Sequence, residues 1–182
     1  SGAITPVANF KPVQLAGTTV SRATLHNIER FQELNIHEFD TVVVRKAGEI
    51  IPEVVRVIEK LRINNSKKFI FPKFCPSCGE KLEKNIKEAA TKCLNNNCKS
   101  IQLGLLKHWV SKRAMNIDGM GIKIIEQLFE ANIIKNISDI YTLNSEKLEG
   151  IERMGEKSIT NLLKAIQMSK SKSWNKKLYA LG

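Results

Sequence analysis

Cys75-Pro76-Ser77-Cys78 begins the most informative stretch of this chain. Fourteen residues separate Cys78 from Cys93, and four more separate Cys93 from Cys98. Close-spaced cysteine pairs bring thiolates around one metal ion, and four thiolates match the tetrahedral preference of Zn²⁺. Four protein ligands leave no open position for a substrate or an activated water. We therefore predict that Cys75, Cys78, Cys93 and Cys98 hold one structural Zn²⁺ in a segment too short for its own core.

The alternatives for these cysteines are two disulfides or four ordinary buried thiols. Disulfides need an oxidising compartment, and the N-terminus lacks the basic start and apolar run of a secretory leader. Four core thiols within 24 residues would be a coincidence. The spacing favours zinc, and the missing leader predicts a cytoplasmic protein. No apolar stretch approaches the roughly 20 residues that span a bilayer, so we expect no membrane partner.

The sequence before the cysteines is typical of short strands with one small helix. Such a set favours a small β-barrel, with an oligonucleotide-binding (OB) fold as the leading candidate, and the residue pattern leaves an SH3-like barrel open. The predicted elements are a β-favouring stretch over residues 13–20 broken by a turn or bulge at Ala16-Gly17, a helix capped by Asn27 and running to Asn35, a buried strand over residues 41–46, a turn at Ala47-Gly48 and a strand over residues 50–58.

After the cysteines the pattern becomes helical. Apolar residues recur at helical spacing, first from Leu105 to Val110 and again from Ile124 to Phe129. We interpret Trp109 and Met115 as core residues. The fold class predicted for the whole chain is α+β in three modules: an OB-fold barrel over residues 1–65, a Cys₄ zinc finger over 66–104 and an all-α domain over 105–182.

The five residues Ile117-Asp118-Gly119-Met120-Gly121 match the turn of a helix-hairpin-helix motif. Gly119 and Gly121 let the backbone approach a phosphate closely, and the next helix offers unsatisfied N–H groups and its positive dipole end. Lys123 would add a positive charge in the first turn of that helix. The alternative is that such glycines only end helices.

A second copy of this outline begins at Ile151, thirty-four residues after Ile117. Its glycine and lysine are Gly155 and Lys157, while Arg153 replaces the first glycine. We expect the backbone there to approach a phosphate less closely, with the guanidinium of Arg153 as compensation. The repeat favours paired phosphate-binding hairpins over simple helix ends.

The charge of the chain supports a polyanionic partner. The 182 residues carry 29 Lys plus Arg against 18 Asp plus Glu, a formal charge of +11. The excess is +1 over residues 1–65, +5 over 66–104 and +5 over 105–182. A field of this sign concentrates polyanions, and phosphate contacts release counterions. A solubilising lysine coat would give the same total, so charge alone does not establish the partner.

Taken together, these segments resemble bacterial NAD⁺-dependent DNA ligase over essentially the whole chain. The order of the segments makes the resemblance specific. The similar stretches are Gly2-Ala-Ile-Thr-Pro-Val-Ala8, Val20-Ser-Arg-Ala-Thr-Leu-His-Asn27, Asp40-Thr-Val-Val-Val-Arg-Lys-Ala-Gly-Glu-Ile-Ile-Pro52, the four-cysteine finger, Lys107-His-Trp-Val-Ser-Lys-Arg-Ala-Met115 and Glu152-Arg-Met-Gly-Glu-Lys-Ser158.

The resemblance implies a clamp around nicked duplex DNA, with the OB domain over the nick and the hairpins on backbone phosphates. The matching positions imply phosphate contact for Arg45 and Lys46, packing near the nick for Ile50 and Ile51, and a weaker DNA contact for Arg22. His26 and Asn27 match the same segment as Arg22, and a turn or helix-cap role competes for His26. Barrel core is the alternative for at least one of the two isoleucines.

The resemblance also implies cofactors and partners outside these residues. The family uses NAD⁺ and Mg²⁺ through domains that this stretch does not match, and its adenylated lysine lies in a Lys-x-Asp-Gly motif. Asn116-Ile-Asp-Gly119 is the nearest string here, and it lacks that lysine. We therefore expect a monomeric, DNA-binding part of a nick-sealing enzyme, itself inactive and working with the remaining ligase domains at the nucleoid.

Two other interpretations compete with the ligase. One is a standalone nucleic-acid adaptor built from the same modules, for which a reading frame confined to this stretch would be the sign. The other is a metal-dependent hydrolase, which a closed Cys₄ site disfavours because it has no position for a catalytic water.

Overall fold

The structure is a computed structural model that describes residues 2–48, 50–84 and 89–182. The chain divides into two compact units, Gly2–Leu94 and Asn95–Gly182. The first is a mixed sheet with one helix and a small second hairpin, and the other is helical. The predicted α+β fold class is confirmed, while the boundaries at 65/66 and 104/105 stay predictions. In the part described, no helix is long and apolar enough to cross a membrane.

A four-stranded sheet forms the body of the first unit. Its strands are β1 (Val7–Leu15), β2 (Thr18–Thr24), β3 (Val42–Ala47) and β4 (Ile51–Val57), in the spatial order β1-β2-β4-β3. The β1/β2 and β3/β4 pairs are antiparallel, and β2 meets β4 in parallel at Thr24 and Glu53. This is the half-barrel expected of an OB fold.

Turn chemistry explains where the strands of the first hairpin reverse. Ala16 and Gly17 have φ angles of 46° and 75°, so both lie in the left-handed region that a tight hairpin requires. The predicted turn at Ala16-Gly17 is confirmed. Gly48 has a φ of 57° directly after β3, as the predicted Ala47-Gly48 turn requires.

The short helix α1 (Ile28–Leu34) begins and ends at asparagines, as predicted. The Asn27 side chain accepts a hydrogen bond from the Arg30 N–H, and Asn35 closes the helix in the left-handed conformation. Leu34 is buried in the core of this unit, and Phe31 packs against it. The helix therefore contributes Leu34 and Phe31 to the core that it shares with the sheet.

The strand over residues 41–46 was predicted to be buried, and this prediction is wrong. The corresponding β3 is half-buried along most of its length, and its Arg45 side chain is exposed. The reason is its place in the sheet, because β3 is the last strand in the spatial order and only β4 lies beside it. The buried strand residues of this hairpin are Glu53 and Val54 of β4, which are 7% and 1% exposed.

The second unit is a set of helices around one apolar core. Leu128 and Ile134 are fully buried there, and Trp109 and Met115 are 8% and 1% exposed, which confirms their predicted core role. Along the chain between the sheet and these helices come a 3₁₀ turn (Glu59–Leu61) and the strands β5 (Glu83–Lys84) and β6 (Thr91–Lys92). The helices are α2 (Lys99–Val110), α3 (Ile122–Glu130), α4 (Ile137–Ile140), α5 (Ser145–Leu148), α6 (Glu156–Ser169) and α7 (Trp174–Leu181).

A buried ion pair fixes the chain around the start of β3. The Asp40 carboxylate is 1% exposed and accepts bonds from Arg62 at 2.8 and 2.9 Å and from the His37 N–H at 2.8 Å. Burial raises the pKa of the Asp40 carboxyl, but the hydrogen bonds from Arg62 and His37 outweigh it, so the pKa lies below its ordinary value. The pair stabilises the fold only while Asp40 is ionised.

We expect Asp40→Asn to lower the free energy of unfolding by about 3–5 kcal/mol at neutral pH, because the substitution leaves the half-buried Arg62 guanidinium without its counter-charge. A carboxyl with a lowered folded pKa contributes stability above its unfolded pKa and loses it as pH falls through the folded value. The two proteins should therefore converge at acidic pH. Urea unfolding followed by far-UV circular dichroism measures this, with the exposed Asp118→Asn as control. A difference that persists at low pH would contradict this account.

Candidate zinc centre and phosphate-binding surfaces

Backbone turns bring the four cysteines together. The Cys75 N–H donates to the Glu80 carbonyl at 2.7 Å, and the Gly79 N–H donates back to the Cys75 carbonyl at 2.8 Å. Gly79 has a φ of 75°, which closes this loop as glycine readily can. Cys93 directly follows β6, and Cys98 precedes α2.

The sulfur geometry fits one tetrahedral zinc ion. All four sulfurs lie within 4.8 Å of one another, and the Cys78 and Cys93 sulfurs are 3.6 Å apart. Zinc–sulfur bonds of about 2.3 Å imply tetrahedral edges of about 3.8 Å. Cys75, Cys93 and Cys98 are 5%, 3% and 1% exposed and Cys78 is half-buried, so three of the four sulfur ligands are shielded from bulk water. The residues present therefore fit a closed structural zinc site.

The same distances weigh against the two alternatives. A disulfide requires sulfurs about 2.05 Å apart, far closer than the 3.6 Å between Cys78 and Cys93. Ordinary core thiols would belong to an apolar cluster, and none of these cysteines is among the buried residues of either hydrophobic core. Lys87, one of the basic residues that give residues 66–104 their positive excess, lies outside the described residues.

Two hairpin turns in the helical unit share one backbone conformation. Gly119 has a φ of 84°, and Arg153, thirty-four residues later, has a φ of 67°. Gly121 and Gly155 begin the following helices in nearly the same extended conformation, with φ and ψ of −70° and 168° and of −80° and 166°. The predicted repeat is therefore a structural repeat.

The replacement of glycine by Arg153 does not alter the turn. Met120 and Met154 both donate to the carbonyl three residues before them, at 3.2 and 3.1 Å. Arg153 adopts the left-handed conformation that a glycine takes at no cost, so the turn keeps its shape. The expectation that its backbone approaches a phosphate less closely stays a prediction. The guanidinium of Arg153 lies 3.3 Å from the Glu152 carboxylate on the exposed surface.

The helices after these turns begin without a side-chain cap. Neither Gly121 nor Gly155 can cap, whereas an asparagine side chain caps each of α1, α4 and α5. The first N–H groups of α3 and α6 are left for another acceptor. Lys123 and Lys157 are exposed in the first turn of these helices, and neither side chain has an ion-pair partner among the residues described. Each turn thus combines open amides, a positive dipole end and a free cation.

The cations predicted on the sheet differ in their surroundings. Arg22 is exposed on β2, and its side chain has no hydrogen-bond or ion-pair partner in the described part of the chain. Lys46 reaches the Ala16 carbonyl at 3.3 Å. Arg45 donates to the Glu53 carboxylate at 2.5 Å while its side chain remains 69% exposed.

Ile50 and Ile51 follow the turn after β3 and are exposed to solvent. Their exposed fractions are 79% and 58%, so the barrel-core alternative is wrong for both. Two adjacent exposed isoleucines beside Arg45 and Lys46 form an apolar tip flanked by cations. The packing of these isoleucines near a nick stays a prediction.

Glu53 was missed by the sequence reasoning. It lies opposite Arg45 in the β3/β4 ladder and is 7% exposed, and its second oxygen is 2.6 Å from His26 Nε2. The Arg45 hydrogen bond lowers the pKa of the Glu53 carboxyl below its ordinary value, against burial, which raises it, and His26 adds to the lowering. His26 itself has a φ of 61° and lies in the turn directly before the helix cap Asn27, and a DNA contact by His26 stays a prediction.

Comparison with known proteins agrees with this geometry. Residues 1–66 match the NAD-dependent DNA ligase OB-fold domain, and residues 74–99 match the NAD-dependent DNA ligase C4 zinc finger domain. Over all 182 residues the chain is 59% identical to a DNA ligase of Prochlorococcus marinus and 52% identical to one of Synechococcus sp. (strain WH7803). It spans 27% and 26% of the length of these relatives.

Proposed function

The chain carries the OB-fold domain and the C4 zinc finger of the NAD-dependent DNA ligase family, and we propose that it is the part of such a ligase that holds nicked duplex DNA. The relatives contain this stretch within a much longer DNA ligase, which favours the ligase over a standalone adaptor. NAD⁺ and Mg²⁺ would act through the remaining domains. The protein would work as a monomer in the cytoplasm, and this stretch alone would seal no nick.

The observation that carries the proposal is the repeated hairpin. Two uncapped helix starts, each with a glycine at the cap and a first-turn lysine that has no ion-pair partner among the described residues, would form two anion sites. Gly119, Gly121 and Lys123 would bind one backbone phosphate, and Arg153, Gly155 and Lys157 another. Backbone phosphate contacts of this kind position a protein without reading base sequence.

On the sheet, Arg22, Arg45 and Lys46 would contact phosphates, and Ile50 and Ile51 would pack at the nick. Arg45 must exchange the Glu53 carboxylate for a phosphate, or share its donors between them. A guanidinium has five N–H donors, so it can keep its bond to Glu53 through Nε and still present its other nitrogens. Zinc, held by the four cysteines, would supply structural support and no reaction step.

We expect Arg45→Gln with Lys46→Gln to reduce nick sealing by the whole ligase more than tenfold while leaving its self-adenylation unchanged. The basis is a loss of roughly 1.5 kcal/mol for each charge-assisted hydrogen bond to phosphate. Gel assays that separate the adenylated enzyme, the adenylated DNA and the sealed product measure both steps. Lys60→Gln, at an exposed cation outside this group, is the control. Loss of self-adenylation in the double variant would show that these residues serve another step.

A further inference from the structure

Charge in the helical unit is segregated along the chain. All eight of its acidic residues after residue 104 lie between Asp118 and Glu156. Residues 99–117 contain four Lys or Arg and no acid, and residues 157–182 contain six lysines and no acid. These two acid-free stretches comprise α2 with the turn after it, nearly all of α6, and α7.

The structure brings the ends of the two stretches together. His108 of α2 lies 2.9 Å from the Tyr179 carbonyl of α7 through Nε2, and the two rings are 5.2 Å apart. Ala180 of α7 is 1% exposed in the common core. Lys176 Nζ donates to the Arg113 carbonyl at 3.1 Å, so the exposed surface of α7 meets the turn after α2.

An open groove of about 330 Å³ lies at this junction, lined by Arg113, Asn175, Lys176 and Tyr179. None of these four residues is a carboxylate, and the Arg113 guanidinium has no ion-pair partner in residues 2–48, 50–84 and 89–182. Two positive charges are thus held side by side with no acid among the lining residues. By contrast, the groove of about 500 Å³ at the sheet includes Glu29, Glu33 and Glu53 beside its cations.

Two positive charges in a concave surface without a neighbouring acid favour the binding of an anion. All four lining side chains can donate hydrogen bonds. The planar guanidinium of Arg113 can donate two parallel hydrogen bonds to two oxygens of one phosphate. We propose that this α2–α7 groove binds a phosphodiester of duplex DNA, as a backbone contact separate from the two hairpins. The choice of duplex DNA rests on the proposed function.

We expect Arg113→Ala with Lys176→Ala, in the zinc-loaded chain, to reduce the dependence of nicked-duplex affinity on salt. The slope of log affinity against log salt should become shallower by about 0.9 for each phosphate that the variant no longer neutralises. Lys135→Ala with Lys147→Ala is the matched control, because it removes the same charge from exposed positions in the acid-containing stretch. Arg113→Lys with native Lys176 keeps both positive charges and should retain most of the native slope. Far-UV circular dichroism of all these variants should show an unchanged fold.

The outcomes separate this inference from the proposed function. If the groove variant keeps the native slope while Lys123→Ala with Lys157→Ala lowers it, the groove does not bind DNA and the hairpins do. If the control lowers the slope as much as the groove variant, net charge explains the effect and the inference fails. If the native chain binds no duplex at low salt, the proposed function fails. Preferential binding of a single strand by the groove would also overturn the assignment to duplex DNA.

Discussion

Removal of zinc is expected to unfold the finger, residues 74–99, and this is the largest effect that the structure predicts. Structural zinc sites contribute about 10–16 kcal/mol of apparent binding free energy at neutral pH. In the part of the finger that the structure describes, the strands are the two-residue β5 and β6, and the other backbone bonds are those of short turns and isolated bridges. Elemental analysis should return one zinc per chain, and a chelator should abolish the ordered spectrum of the finger residues in NMR.

Cys78→Ser and Ser77→Ala make a matched pair for this test. Both change a residue of the same turn, but only Cys78 contributes a sulfur to the cluster. The serine variant should lose zinc, and the alanine variant should keep it. Since bound cysteines are thiolates, zinc affinity should also fall as pH is lowered. A chain that stays folded around residues 74–99 without metal would exclude a zinc site.

The second large effect is expected at the hairpins. Lys123→Glu with Lys157→Glu should weaken nicked-duplex binding by at least a hundredfold at low salt, since each change removes a charge-assisted phosphate contact of roughly 1.5 kcal/mol and adds a repulsive charge. Both side chains are exposed and unpaired among the described residues, so the fold should not change. Fluorescence anisotropy with a labelled nicked duplex measures the affinity.

A double charge reversal elsewhere in the same unit controls for net charge. Lys164→Glu with Lys135→Glu changes the formal charge by the same amount outside the two turns. This control should weaken binding much less. It lowers only the non-specific attraction between the chain and DNA, and it leaves both phosphate sites intact. Equal weakening in the two variants would mean that the hairpins are not the binding sites.

Local chemistry allowed much of the fold to be predicted from sequence. The turn at Ala16-Gly17, the cap at Asn27 and the glycine helix starts each depend on a few neighbouring residues. The cysteine cluster also follows from spacing, because tight turns dictate which thiolates can share a metal. The positions of these features could therefore be predicted without knowing how the strands pair.

Features that depend on pairing between distant residues could not be predicted. Whether a strand such as β3 lies at an edge is decided by the order of the sheet. The burial of Glu53 between Arg45 and His26 depends on the register of β3 against β4. The exposure of Ile50 and Ile51 depends on the path of the chain from β3 to β4. The acid-free stretches were visible in the sequence, but only packing of α7 on α2 makes them a groove.

Salt titration of nicked-duplex binding by the native chain tests the central proposal most directly. If cations and helix-start amides bind backbone phosphates, log affinity should fall linearly with log salt. Each phosphate contact contributes about 0.9 to the slope, so the two hairpins alone require a magnitude of about 1.8 or more. A slope near zero, or no binding at low salt, would contradict the proposal that this chain holds DNA.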